Sequence, residues 1–222
     1  MRYTDLHKWD VSPKEAVLIQ KKIRDRILLK PLEMDKIHLI AGVDVSVKEG
    51  FSKAAIVVLS YPGLEKLEQV TRKRKTSFPY VPGLLTFREG PVILECLETL
   101  SVEPDLFIFD GQGLAHPRRT GLASHMGVII GKPSIGSAKS HLYGDFTPPG
   151  TERGDRSIIT DTDGTPLGAV LRTRRATKPV YVSPGNLSDI NTSVEMILSC
   201  SPRYKIPEPI RAAHQAASLV RK

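Results

Sequence analysis

Apolar residues recur along this chain with two periods, and the changes between them predict the order of elements. Ala16, Ile19, Ile23 and Ile27 fall at three- and four-residue spacing, the stripe of an amphipathic helix. Just before them, Ser12 and Glu15 have the spacing of a capping box. Pro13 brings the fixed φ of a first helical position, so a helix is predicted over 13–28. The period then shortens. Leu39–Val47, Ala54–Tyr61 and Leu64–Ser77 are strands separated by short turns, an antiparallel meander. Helical spacing returns at Leu84, Phe87, Leu94, Leu97 and Leu100, where Gly90-Pro91 predicts a kink or a later start. Asp105–Asp110, carrying Phe107 and Phe109, reads as a buried strand that joins the meander in parallel through that helix.

The second half of the chain is shorter in rhythm. Gly121–Ile130 suits a helix whose small residues permit close packing, and Pro133–Lys139 a short strand. Residues 144–156 are rich in Gly, Pro and charge and predict a loop. Ser157–Ile159 and Leu167–Arg172 form a predicted hairpin through Asp161-Thr162-Asp163-Gly164, and Pro179–Ser183 a further strand. Helices follow near Ile190–Cys200 and over Ile210–Val220. There is no repeat, low-complexity tract or linker, so 1–222 is expected to be one α/β domain.

Composition narrows the class. The 222 residues are 40% hydrophobic and 25% charged, ordinary for a soluble protein, and no window is apolar enough to predict a membrane span. Residues 1–10 lack the apolar core of a signal peptide, so a cytoplasmic monomer is expected. Cys96 and Cys200 lie in helical patterns without metal-ligand spacing and are expected to be buried thiols. Lys and Arg exceed Asp and Glu by 32 to 24, a net charge of +8. That excess suits a nucleic-acid partner, and equally a generally basic soluble protein.

Candidate chemistry sits where the pattern breaks. Asp110 ends a strand and is followed by Gly111, Gln112, Gly113 and then His116-Pro117-Arg118-Arg119. In an α/β sheet, ligands gather at the carboxyl ends of strands. Asp110 is therefore either a metal carboxylate or a cap for the next element. Asp44, alone between Val43 and Val45, either has a partner or a metal, or faces solvent from an edge. Tyr80 stands between Pro79 and Pro82, which stiffen its loop. It is either a rigid wedge for stacked bases or a residue packed under a turn. Lys139 points into a site or into water, Glu89 is explained by i,i+4 surface pairing with a cation, and Arg72–Lys75 is a solvated face or a phosphate contact.

Taken together, several segments resemble the endonuclease V family. They are Ala41-Gly42-Val43-Asp44, Pro79-Tyr80-Val81-Pro82-Gly83, Phe87-Arg88-Glu89-Gly90-Pro91, Asp110-Gly111-Gln112-Gly113 and His116-Pro117-Arg118. Gly121–His125, Gly136–Lys139, Val182–Gly185 and Arg211–His214 continue the series in order across nearly the whole chain. The resemblance implies a ribonuclease H-like fold: a central mixed β-sheet, three antiparallel strands then parallel ones, flanked by helices. It also implies a magnesium-dependent nuclease, with manganese able to substitute. That enzyme binds deoxyinosine in single- or double-stranded DNA and cuts the second phosphodiester bond 3′ to it, leaving a 3′-hydroxyl and a 5′-phosphate. Inosine-containing RNA is a further implied substrate. An inosine-directed ribonuclease, a junction resolvase and a non-catalytic damaged-base binding module are the alternative readings, the last disfavoured by the intact acids.

Carried over residue by residue, the resemblance makes Asp44, Glu89 and Asp110 metal carboxylates, with Lys139 and His214 assisting at the phosphate. Tyr80 becomes the wedge tip, stiffened by Pro79, Val81 and Pro82. Gly83, Gly111, Gly113 and Gly136 become close approaches to the flipped nucleotide, with Leu85 beside them, and His116 and Arg118 become strand contacts. Val81 replaces the family's commoner isoleucine and Ser137 its commoner valine. Magnesium takes oxygen ligands and keeps several waters, which suits carboxylates on neighbouring strands.

Overall fold

The computed structural model describes residues 1–218. Eight strands form one sheet in the order β3-β2-β1-β4-β5-β8-β7-β6. The meander is β1 (Leu39–Lys48), β2 (Phe51–Ser60) and β3 (Lys66–Lys75). β4 (Leu106–Phe109) lies parallel to β1, and β5 (Ser134–Ala138) parallel to β4. The remaining strands, β6 (Arg156–Thr160), β7 (Pro166–Leu171) and β8 (Val180–Pro184), return the sheet to antiparallel pairing, because β8 inserts between β5 and the β6–β7 hairpin. The expected α/β, ribonuclease H-like arrangement is present. The order of its last three strands is set by contacts that local patterns do not encode.

Helices cover both faces. α2 (Leu85–Glu98) and α3 (Leu122–Ile130) pack Val92, Ile93, Leu97, Met126 and Ile129 on Ala41, Val43, Ile56, Phe107 and Phe109. On the other face, α4 (Ile190–Ser199) and α5 (Glu208–Ser218) cover Ile40, Leu106, Ile108, Ala55, Val57 and Leu59. β4 is buried along its whole length, and each of its large side chains contributes about 2–3 kcal/mol by leaving water. Cys96 and Cys200 are buried free thiols, both pushed up to about 12, chiefly by burial. Among the described residues, no helix is long and apolar enough to cross a membrane.

Element ends differ from the sequence pattern for identifiable reasons. α1 (Pro13–Arg24) has the expected capping box, with Ser12 N–H donating to Glu15 at 2.8 Å and Glu15 N–H to Ser12 Oγ at 3.3 Å. It stops short of residue 28 because Leu28 is held elsewhere. Its N–H donates to Asn186 Oδ1 at 3.0 Å, and its carbonyl accepts from Leu187 N–H at 2.7 Å. α2 runs straight through Pro91, so Gly90-Pro91 is not its start. Proline costs about 3 kcal/mol inside a helix, and the burial of ten α2 residues, Thr86–Phe87, Glu89–Leu94 and Cys96–Leu97, outweighs it. The expected end of the last helix at Val220 lies outside the described residues.

Candidate active site

The sheet brings two carboxylates together. Val43 on β1 pairs with Phe109 on β4, and the Asp110 N–H donates to the Val43 carbonyl at 2.9 Å. Asp44 and Asp110 therefore follow paired residues on adjacent parallel strands. β1 pairs with β2 along its length but with β4 only as far as Val43, so Asp44 lies just past the end of β4, yet its side chain does not face open solvent. Its side chain is 11% exposed and that of Asp110 13%.

Three further elements complete the cluster. α5 starts against β1 where Gly42 has no side chain: a Cβ there would lie 1.9 Å from the Pro209 carbonyl oxygen. That close approach delivers His214, whose Nδ1 donates to Asp44 Oδ2 at 2.7 Å. Lys139, just past β5, donates from Nζ to Asp110 Oδ2 at 2.5 Å. Potential ligand atoms of Asp44, Asp110 and His214 all lie within 4.8 Å of one another. Glu89 comes from α2; it is buried and is not one of these three. Burial pushes its carboxyl up to about 8, and the negative charges of Asp44 and Asp110 add to the effect. Asp110 is also raised, by burial first and then by Asp44, against the pull of Lys139 and His214. Three carboxyls thus share one poorly solvated space with too little positive charge. A divalent cation relieves that imbalance, and the oxygen-rich donor set suits a hard one.

Beside the carboxylates opens a cavity of about 360 Å³. It is lined by Asp110 and Lys139, by Tyr80, Val81, Pro82, Gly83 and Leu85 from the proline-framed loop and the start of α2, and by Gly111, Gln112 and His116. Tyr80 projects from its loop at 71% exposure, so it is not packed under the turn. Phe78 anchors the loop into a cluster with Ala16, Leu84 and Phe87. Pro79 and Pro82 are exposed and Val81 half-buried.

The loop is held in place through one carbonyl. Gly83, at φ +77°, accepts from Gln20 Nε2 at 2.9 Å, His116 Nε2 at 2.9 Å and Arg118 Nη2 at 2.7 Å. His116 is buried, and burial first, then the Arg118 charge, lowers it to about 4, so the ring is neutral. Its Nδ1 accepts the Arg118 N–H at 3.1 Å, so the proton sits on Nε2 and donates to Gly83. His116 and Arg118 accordingly lock the loop, while His116 also lines the cavity. Gly113 and Gly136 are not among the lining residues and are packed closely against neighbouring backbone. A Cβ on Gly136 would come within 2.6 Å of the Gly111 carbonyl oxygen, and one on Gly113 within 2.0 Å of the Pro184 carbonyl oxygen.

Gln20 is a site residue that the sequence reading passed over. Besides Gly83 it donates to the Thr120 carbonyl at 3.1 Å and accepts from Arg118 Nε at 2.5 Å. The available signal was a polar residue four positions after Ala16 on the buried face of α1. Gln112 is a second, bonded to the Ser140 carbonyl at 3.0 Å.

Two acids that directly follow the paired residues Val43 and Phe109 of neighbouring parallel strands, on a mixed sheet of this order, define a ribonuclease H-like nuclease that hydrolyses phosphodiesters. The Endonuclease V family model matches residues 21–215, and the chain belongs to that family. The endonuclease V of Methanothrix thermoacetophila is 48% identical over 96% of this chain and 94% of its own. The crystal structure of Bacillus subtilis endonuclease V superposes with a TM-score of 0.91 at 35% identity, covering 98% of this chain and 95% of that one. That of Ciona intestinalis endonuclease V, in complex with a 24mer DNA containing an inosine followed by a ribo-adenosine, has a TM-score of 0.81 at 28% identity. It covers 92% of this chain and 95% of that one.

Proposed function

We propose that the chain is a metal-dependent DNA repair endonuclease that recognises deoxyinosine and hydrolyses the second phosphodiester bond 3′ to it, leaving a 3′-hydroxyl and a 5′-phosphate. The observation that carries this reading is that Asp110 belongs both to the Asp44–Asp110–His214 cluster and to the lining of a cavity bordered by Tyr80. The DNA-bound relative from Ciona intestinalis supports the substrate. Asp44 and Asp110 would hold magnesium, or manganese in its place, with Glu89 and His214 at its margin. Such an ion supplies charge for the phosphate oxygens and activates water.

The protein's own groups do the rest. The flipped hypoxanthine enters the cavity and Tyr80 fills the space it leaves in the stack. The Gly83 carbonyl is taken up by three donors, so its part in reading the base falls to its N–H and its close backbone approach. Leu84 offers no capping side chain to α2. The first-turn amides of Leu85 and Thr86 therefore have no acceptor within the helix, and both residues line the cavity. These N–H groups suit O6 of hypoxanthine and oppose the amino group of adenine. Lys139 brings positive charge to the scissile phosphate, and His214 assists proton transfer from the opposite side of Asp44.

The test is cleavage of a duplex bearing one deoxyinosine, with magnesium and with chelator, and with the cut mapped to the nucleotide. A cut at the second 3′ bond that chelator abolishes is expected. Equal cutting of an adenine control, or cutting in chelator, would refute the reading. Parallel single-stranded DNA, inosine RNA and four-way junction substrates rank the alternatives.

A further inference from the structure

The run Arg72-Lys73-Arg74-Lys75 is left unused by the site, and the register of the sheet divides it. Directly opposed residues on antiparallel strands share a face. Arg72 lies opposite Ala54 and Arg74 opposite Ser52, on the face covered by α2, where Arg74 pairs with Glu95 at 2.9 Å. Lys73 lies opposite Lys53, and Lys75 opposite Phe51. Across β2 these rows continue to Ser46 and Lys48 on β1. The preceding row on the same face is Thr71, Ala55 and Asp44. Lys53 and Lys73, then Lys48 and Lys75, thus occupy the next two rows beyond the catalytic carboxylate, on its own face.

Sheet spacings put the Cα atoms of Lys53 and Lys73 about 8 and 12 Å from that of Asp44. Lys48, Lys73 and Lys75 are exposed and Lys53 half-buried. Lys73 Nζ stands 4.5 Å over the ring of Phe51, which is itself 42% exposed.

Polarity follows from strand order. The cavity lies over the ends of β4 and β5, at Asp110 and Lys139. The lysines lie over β1, β2 and β3, on the far side of the carboxylates. A strand with its base in the cavity and its backbone across Asp110 and Asp44 continues over the lysines, and the cut is 3′ of that base. We propose that Lys53, Lys73 and Lys75, with Lys48, form a phosphate track for the nucleic-acid backbone on the 3′ side of the cut. At a rise of 3.4 Å per phosphate it engages roughly two to four nucleotides beyond the scissile bond. The assignment of a 3′ side rests on the function proposed above.

The experiment compares the parent chain with a Lys53→Ala, Lys73→Ala, Lys75→Ala triple variant and the corresponding triple arginine variant. Binding is measured in chelator across a salt titration, on two deoxyinosine duplexes of equal length. One extends a full turn 3′ of the cut; the other ends just beyond the cut and carries its extra length on the 5′ side. The alanine variant is expected to lose roughly tenfold on the long 3′ arm, with a salt slope shallower by about 0.9 per lost contact. On the short 3′ arm it binds like the parent, the arginine variant behaves like the parent on both, and all three melt at the same temperature. Equal losses on both arms, or none on the long one, would overturn the track. An inosine-free duplex separates the two readings. If the parent shows no preference for inosine, the proposed substrate fails. The salt slope on plain duplex, shallower in the alanine variant or unchanged, still decides whether the lysines contact phosphate.

Discussion

His116 makes stability fall as the solution is acidified. In the folded chain the ring is neutral and titrates near 4, mainly because it is buried. In the unfolded chain it titrates near its ordinary 6.5. A lowered folded value means that the unfolded state binds the proton first. The contribution of the neutral ring is therefore fully present above pH 6.5 and is lost as pH falls through 6.5 towards 4. Linkage between those two values gives a loss of about 2 kcal/mol between pH 8 and pH 5, and about 3 kcal/mol at the acid limit. For a chain of this length 2 kcal/mol lowers Tm by about 4–8 °C. His7 and His125 are lowered by burial too, so the measurement must be a difference. Urea unfolding of the parent and of His116→Gln at pH 8 and pH 5 isolates the one ring. The variant starts less stable at pH 8, having lost the bond to Gly83, and the gap narrows by about 2 kcal/mol at pH 5. A gap that stays constant would show that His116 titrates alike in both states, and the neutral lock on Gly83 would be wrong.

The other predictions concern the loop and the cluster. Gln20→Leu leaves Arg118 Nε and the Thr120 carbonyl without Gln20. Each buried unsatisfied group costs about 1–3 kcal/mol, so calorimetry should show a fall in Tm of several degrees, and KM for inosine duplex should rise; an unchanged Tm would remove Gln20 from the lock. Gly83→Ala meets both the positive φ and the Arg118 Nη2 atom, 2.7 Å from the new Cβ. It should weaken substrate binding in a titration without unfolding the sheet, whereas parental affinity would mean that the loop adapts freely. Asp110→Ala should abolish cleavage in a gel assay while inosine duplex still binds in a shift assay, and a parental cutting rate would refute the metal cluster. Tyr80→Ala removes a stacking ring that contributes about 1–3 kcal/mol. Fluorescence of a base analogue opposite the lesion should report less flipping, and no change would leave Tyr80 without a wedge role.

Local rules were enough for much of this protein. Alternating and helical periods located the strands and helices, since each depends on one face of a segment leaving water. Capping at Ser12 and Glu15 was legible because it involves residues three apart. Asp44 and Asp110 stood out as acids in apolar strands, since a charge there demands a partner. The proline-framed Tyr80 stood out because rigidity is written in the backbone chemistry of its neighbours.

Tertiary structure alone decided the rest. What stands beside Asp44 depended on which strand pairs with the first half of β1, and that is β4, whose Leu106 lies opposite Ile40. The lock on Gly83 joins α1, the Tyr80 loop and the loop after β4, segments that no local pattern connects. His214 reaches Asp44 across 170 positions of sequence. The basic run on β3 had no meaning as a run: the pleat sends Arg72 and Arg74 to one face and Lys73 and Lys75 to the other. Short-range periodicity fixes which face of each element is dry, because burial is decided residue by residue. Which dry faces meet, and hence which polar atoms are forced to find partners, is decided only when the whole sheet has closed.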